Sequence, residues 1–79
     1  MGKKEKLLEL AKRSPSNYKF RDLLSLASQF GFEQKRQKGS HVLMAHSIYG
    51  LFVNFQDDSG RAKPYQVRQL LKMIEEYEL

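Results

Sequence analysis

The chain has 79 residues, enough for one domain with one modest core, because a domain of this size buries only roughly 60–65% of its unfolded surface. It contains no cysteine, which excludes a disulfide framework and a thiolate metal site, and it shows no secretory signal or apolar run long enough to span a membrane. The net charge of +5 favours a polyanionic partner, and we expect a cytoplasmic protein.

Two amphipathic helices are predicted in the first 30 residues. Residues 3–13 place Leu7, Leu8 and Ala11 on one face, and Pro15 ends this accessory helix. A second helix runs from about Tyr18–Phe20 to Phe30, and Gly31 follows at the position where left-handed residues end helices. Its apolar stripe has helical spacing: Phe20, Leu23, Leu24, Ala27 and Phe30.

The middle of the chain is predicted to form three antiparallel strands. Phe32–Gln37 is cationic and suits a sheet edge, and Lys38-Gly39-Ser40 provides a hairpin connection. The second strand is His41–Ser47, and a turn over residues 48–50 leads to the third, residues 51–56. In the third strand Leu51, Val53 and Phe55 alternate with Phe52, Asn54 and Gln56.

A second long helix is predicted to close the chain. Residues 57–60 form a surface loop, residues 61–63 lead to Pro64 in the first helical turn, and the apolar stripe then repeats with helical spacing to Tyr77. Gln66, Arg68, Gln69 and Lys72 are predicted to point outward. The fold class is therefore α+β, an α-β-β-β-α two-layer sandwich with an extra N-terminal helix, whose second sheet face is open to water or ligand.

His41 is the best candidate for chemistry. A cationic segment carrying Lys35, Arg36 and Lys38 enters the Gly39-Ser40 turn, which delivers this imidazole to the start of a strand. An imidazole titrates near neutrality and can move a proton, while neighbouring cations can bind phosphate and stabilise developing negative charge. Gly39 allows close approach of the backbone to a phosphate, and Ser40 offers a hydroxyl or an N–H group.

Other side chains are weaker candidates. Arg61, Lys63 and Arg68 lie near the start of the last helix, where the positive dipole end would reinforce contact with a phosphate. His46, the only other imidazole, is interpreted as a surface or turn residue. Three aromatic residues could stack on unpaired bases, but core packing or hinge filling is favoured for at least two of them: Tyr49, Phe52 and Tyr65.

Three blocks of residues in this order resemble the HicA toxin family of type II toxin–antitoxin systems. They are Phe30-Gly31-Phe32, the run from Arg36 to His41 (RQKGSH), and the run from Lys63 to Arg68 (KPYQVR). The resemblance covers about residues 15–79 of the single domain predicted over residues 1–79. Each block alone would be weak, but together, in this order and spacing, they are quite specific.

The resemblance implies a fold similar to a double-stranded-RNA-binding domain, mRNA interferase activity and a HicB-type antitoxin that holds the activity in check. The essential histidine of the family maps onto His41, and Lys35, Arg36 and Lys38 become phosphate ligands. Many members carry a further histidine in a Val-Pro-x-His segment, whereas this chain has Val53-Asn54-Phe55-Gln56 there. A mechanism that needs two histidines at those places is therefore not available to this chain.

Two alternatives stay open at the level of sequence. One is a non-catalytic RNA-binding module that uses the same cations, and the other is a protein that only binds a partner. No metal-ligand spacing and no glycine-rich phosphate loop is present, so no cofactor is predicted. The expected partners are RNA and the antitoxin, which we expect to cover the edge that carries His41, and the free protein is expected to be a monomer.

Overall fold

The computed structural model describes residues 2–79, which form three α-helices and a four-stranded antiparallel sheet. Helix α1 spans Lys3–Arg13 and is followed by a 3₁₀ turn, Pro15–Asn17; α2 spans Phe20–Gln29 and α3 Pro64–Glu76. The strands are β1 (Phe32–Lys38), β2 (His41–His46), β3 (Phe52–Asp58) and β4 (Arg61–Ala62), in that order across the sheet. The predicted α-β-β-β-α arrangement, similar to a double-stranded-RNA-binding domain, is confirmed.

The core lies between the helices and one face of the sheet. Helix α2 contributes Leu23, Leu26 and Ala27, which are fully buried, because its apolar residues recur with the helical period. Helix α3 adds Val67 and Leu70. The alternating residues Val42 and Met44 of β2, and Val53 and Phe55 of β3, face them from the sheet. The opposite face of the sheet is left for the site described below.

Helix α1 is joined to this core by a buried tyrosine. Leu7 and Ala11 pack into the core, and the Tyr18 hydroxyl donates a hydrogen bond to the Leu7 carbonyl oxygen over 2.8 Å. Burial raises the pKa of Tyr18 well above its usual value, and the charge of Asp22 adds to this effect. Tyr18 therefore remains a neutral hydrogen-bond donor that fastens α1 to the rest of the fold.

The sequence did not predict the fourth strand. Residues 61–63 were expected to be only a lead into α3, but Arg61 and Ala62 pair with Asp58 and Asp57 of β3. The Ala62 N–H donates to the Tyr18 carbonyl oxygen over 2.8 Å, so this short strand also joins the segment before α2 to the sheet. Two residues are too few to show an alternating pattern in the sequence.

Gln66 was predicted to point outward, and this prediction was wrong. The side chain is 5% exposed and lies against the free edge of β3. Its Oε1 accepts the Gln56 backbone N–H over 2.9 Å, and its Nε2 donates to the Asn54 carbonyl oxygen over 3.0 Å. The amide completes two backbone hydrogen bonds that no neighbouring strand supplies there, which explains why a polar side chain is buried.

Candidate active site

His41 is the first residue of β2 and directly follows a two-residue hairpin turn. Gly39, the first residue of that turn, has a φ of +60°, as a type II′ turn requires at this position. A Cβ atom on Gly39 would meet no atom within 4 Å, so the backbone there is open to an approaching group. The turn places Lys38 of β1 and His41 of β2 directly opposite each other.

A β-bulge in β1 directs two cations toward His41. Gln34 pairs with Met44 and Arg36 with Leu43, so Lys35 is an extra residue with no partner in β2. With uninterrupted alternation, Arg36 and Lys38 would share the face of Phe32, which is buried in the core. The bulge shifts the alternation by one residue and places both cations on the outer face of the sheet instead.

The register defines three rows of side chains on this outer face, which we call the open face. Residues directly opposite each other on neighbouring strands share a face, with Cβ atoms about 5 Å apart. The first row is Lys38, His41 and Gln56; the second is Arg36, Leu43 and Asn54; the third is Glu33, Ala45 and Phe52. His41 thus has a cation on one side and an amide on the other.

Side chains of the first two rows, with the exception of Gln56, line a cleft of about 660 Å³. Its lining consists of Arg36, Lys38, Leu43, Asn54, His41 itself and the Gly39–Ser40 turn. Within residues 2–79, neither Arg36 nor Lys38 forms an ion pair, whereas Lys35 is paired with Glu33 at 3.2 Å. The two cations of the cleft therefore remain available to an anionic ligand.

Asn54 selects the tautomer of the neutral His41 ring. The His41 Nδ1 atom lies 3.1 Å from the Asn54 Oδ1 atom. An amide oxygen can only accept a hydrogen bond, so in the neutral ring Nδ1 carries the proton and Nε2 keeps its lone pair. The ring is held in the tautomer that can accept a proton at Nε2. Sequence reasoning did not assign Asn54 to the site; the signal that was available is its place on the outward face of β3.

The structure brings together only part of the predicted site. Arg36, Lys38, Gly39, Ser40 and His41 all line the cleft. Four predicted phosphate ligands do not line it: Lys35, Arg61, Lys63 and Arg68. Lys35 occupies the bulge beside Glu33, and the other three lie on β4 or at the start of α3, with Arg61 opposite Asp58.

His46 is a buried structural residue, not the surface or turn residue that was predicted. It is 5% exposed, and its Nε2 atom donates to the Phe30 carbonyl oxygen over 2.9 Å. Its Nδ1 atom accepts the backbone N–H groups of Ile48 and Tyr49 over 3.2 and 3.3 Å. The ring accepts hydrogen bonds from the turn after β2 and donates one to Phe30. These hydrogen bonds explain why a polar side chain is buried at the end of a strand.

Core packing or hinge filling was predicted for at least two of three aromatic residues, and the core-packing part of this prediction was wrong. Tyr49, Phe52 and Tyr65 are 54%, 65% and 58% exposed. Tyr49 packs its ring at 5.3 Å from His46 and 5.6 Å from Tyr77, measured between ring centroids. Phe52 lies in the third row of the open face, on the same side of the sheet as His41.

The described chain offers no sign of two other kinds of site. Across residues 2–79, no group of three or more His, Cys, Asp or Glu side chains is placed to hold a metal ion. No helix in that same range is long and apolar enough to cross a membrane.

Fold and site together define a class of protein: an α+β domain like a double-stranded-RNA-binding domain, with one histidine and two unpaired cations in a cleft on its open sheet face. A family model described as the HicA toxin of bacterial toxin-antitoxin systems matches residues 20–75, well over half of the chain. The chain therefore belongs to the HicA toxin family, as its motifs indicated, and has the role of a toxin. Helix α1 lies outside the matched residues. No curated protein and no solved structure matches the chain significantly.

Proposed function

We propose that this toxin is an endoribonuclease that cleaves mRNA without a metal ion, with His41 as its catalytic residue. The observation that carries the proposal is the contact of 3.1 Å between His41 Nδ1 and Asn54 Oδ1, which selects the tautomer of the neutral ring. Because Nδ1–H is bonded to Asn54, the lone pair of Nε2 is free within a cleft lined by Arg36 and Lys38. A neutral imidazole with a free nitrogen is a general base for a hydroxyl group.

The cleavage step uses the 2′-hydroxyl of the RNA itself. Nε2 of His41 takes the proton of the 2′-hydroxyl, and the 2′-oxygen attacks the adjacent phosphorus. The bond from phosphorus to the 5′-oxygen breaks, and that oxygen takes a proton from water. The hydroxide ion that remains takes the proton from Nε2, which returns His41 to its neutral form. The products are a 2′,3′-cyclic phosphate and a 5′-hydroxyl end. Arg36 and Lys38 stabilise the negative charge that builds on the phosphate oxygens.

A HicB-type antitoxin is the proposed partner. Family membership implies an antitoxin, and the cleft that carries His41 is a cationic concave surface which acidic or polar groups of a partner can fill. In this proposal the antitoxin inhibits by occupying the cleft and excluding RNA from it.

One observation favours a second candidate function, RNA binding without cleavage. Gln56 lies directly opposite His41, at the place where many family members have their second histidine. An amide cannot transfer protons as an imidazole does, so the residue directly opposite His41 on β3 cannot share in the proton transfers. In this alternative the same cations bind RNA, and His41 acts only as a polar contact.

Induced expression in a bacterial host tests the proposal against the alternative. The wild type is expected to arrest growth, and His41→Ala is expected to abolish the arrest while the protein accumulates in folded form, because the exposed His41 ring has no role in the core. Co-expression of a HicB-type antitoxin should restore growth to cells that carry the wild type. Growth arrest that is as strong with His41→Ala would contradict the nuclease proposal.

A further inference from the structure

The open face continues beyond the cleft and ends at an exposed aromatic ring. Phe52 is 65% exposed, and it pairs with Ala45 in the third row. Residues alternate along β3, so Phe52 lies on the same face as Asn54, two residues further along the strand. A phenyl ring exposed to this extent does not stabilise the core, but it offers a flat apolar surface to a ligand.

The distance from the cleft to Phe52 suits a short piece of RNA. His41 and Ala45 are four residues apart on β2, which corresponds to about 13 Å at about 3.3 Å per residue. Phosphates of one strand advance about 3.4 Å each along a stacked helix and further in an extended strand, so this distance corresponds to at most about four nucleotides.

The surface between His41 and Phe52 has a polarity that suits a single strand of RNA. Leu43 and Ala45 form an apolar floor, and Arg36 lies beside it on β1. Glu33 is the only acid in the three rows, and Lys35 pairs with it at 3.2 Å. A strip of cations beside an apolar floor and an aromatic ring can bind the backbone and the bases of one strand together.

We propose that the open face binds single-stranded RNA, with one unpaired base stacked on Phe52 and the scissile phosphate at His41. This inference rests on the proposed function and names its substrate class. A base in a duplex is already stacked on both sides and presents only its edges, so it cannot cover the Phe52 ring. Phe52 thereby sets which phosphate reaches His41, counted from the stacked base.

Tryptophan fluorescence tests the stacking directly, because the chain contains no tryptophan. Phe52→Trp is made in the His41→Ala background, which prevents cleavage, and is titrated with an eight-nucleotide single-stranded RNA and with the same sequence as a duplex. The single strand is expected to quench the fluorescence on binding, and the duplex is expected to quench it little.

Two further variants in the same background measure how much the ring contributes to affinity. Phe52→Ala is expected to weaken binding of the single strand by about 5- to 150-fold, the usual range for loss of one stacked base. Leu10→Ala is the matched control, since it removes an apolar side chain that is 42% exposed on α1, away from the sheet. This control is expected to bind as tightly as the parent.

The outcomes separate this inference from the proposed function. If the single strand binds but Phe52→Ala binds it equally well, or if the duplex binds more tightly, the stacking proposal is wrong while nuclease activity remains possible. If no RNA of either form binds, both proposals are wrong. If Phe52→Ala binds the single strand equally well or the duplex binds more tightly, and the wild type still cleaves RNA, then His41 acts on RNA that is not positioned by stacking on Phe52.

Discussion

At the scale of single residues, the amide of Asn54 determines which nitrogen of His41 can accept a proton. In the neutral ring its oxygen accepts the Nδ1–H over 3.1 Å and leaves the lone pair on Nε2. The role proposed for Asn54 is to position His41, since the amide contacts the imidazole and need not contact the RNA. Kinetics of variants at this position can therefore separate orientation of the ring from binding of the substrate.

Asn54→Ala is expected to lower kcat by about 10- to 100-fold with little change in KM, because the ring loses its orientation and its preferred tautomer. Asn54→Asp keeps an acceptor oxygen, so it should retain most of kcat, but its charge should raise KM by repelling phosphate. Steady-state cleavage of a fluorescent RNA gives both constants. If Asn54→Asp loses as much kcat as Asn54→Ala, then the hydrogen bond from the Nδ1–H of His41 does not explain the contribution of Asn54 to kcat.

The bulge at Lys35 predicts that Lys35 and Arg36, although adjacent in sequence, contribute unequally to RNA binding. Arg36→Ala should weaken RNA binding and reduce the slope of log Kd against log salt concentration by about 0.7, the share of one phosphate contact on a single strand. Lys35→Ala is the matched control and should change the slope little, because its ammonium group is paired with Glu33 outside the cleft. Equal slopes for the two variants would contradict the assignment of faces.

At the scale of elements, two side chains hold the strand and turn that surround the site. Gln66 of α3 binds the backbone of β3 at residues 54 and 56, the two positions that face His41 from that strand. His46 binds the turn after β2 and lies against Gly31 at the end of α2. Each polar group is buried because it completes backbone hydrogen bonds between elements distant in sequence.

Gln66→Leu is expected to lower the free energy of unfolding by about 2–3 kcal/mol, because it leaves a backbone N–H and a carbonyl of β3 without partners. Gln69→Leu, on the exposed side of the same helix, is the matched control and should change stability by less than about 0.5 kcal/mol. Urea unfolding followed by circular dichroism measures both. Equal stability of the two variants would mean that the amide of Gln66 contributes nothing to β3.

Gly31→Ala should destabilise the fold more than Gly50→Ala does. Both glycines have a positive φ, +98° and +65°, so both variants incur backbone strain. Only at Gly31 would the new Cβ atom approach His46 Nε2, at 2.5 Å, whereas nothing lies within 4 Å at Gly50. We expect a melting temperature at least about 4–8 °C lower for Gly31→Ala, equivalent to about 1 kcal/mol. Equal melting temperatures would show that the contact with His46 relaxes without cost.

The elements themselves were predictable from local patterns, but several contacts between them were not. Helical stripes and strand alternation are properties of a short window of sequence, so they located α1, α2, α3 and β3. The apolar run over residues 42–45 indicated β2, and the Gly39-Ser40 turn indicated β1 before it. The bulge at Lys35 and the burial of Gln66 and His46 depend on which distant backbone groups lack a partner. No short window of sequence around those residues contains that information. For this reason the sequence of β1 did not reveal which of its cations face the cleft.

At the scale of the whole molecule, the proposed function makes the open face the side that meets both RNA and antitoxin, because the cleft with Arg36 and Lys38 lies there. The sequence motifs pointed to His41, Arg36 and Lys38, and the structure places all three at this cleft. Asn54 lines the same cleft and Phe52 lies beyond it on the open face, and both positions depend on the register of β2 and β3, which sequence alone did not supply.

Chemical modification of the two histidines, His41 and His46, tests whether the antitoxin covers the cleft. The free protein should react with diethyl pyrocarbonate at His41, which is exposed, and much more slowly at His46, which is 5% exposed and serves as the internal control. Binding of a HicB-type antitoxin is expected to protect His41. If mass spectrometry finds His41 equally reactive in the complex, the antitoxin must inhibit without covering the cleft.

The most direct test of the account is single-turnover cleavage of an RNA oligonucleotide in a metal chelator, with purified wild type beside His41→Ala. The wild type is expected to produce ends with a 2′,3′-cyclic phosphate. His41→Ala is expected to be slower by about 10²–10⁴-fold while it binds the RNA with similar affinity, since the cations of the cleft remain. Cleavage by His41→Ala at the rate of the wild type, or none by the folded wild type, would contradict the central claim.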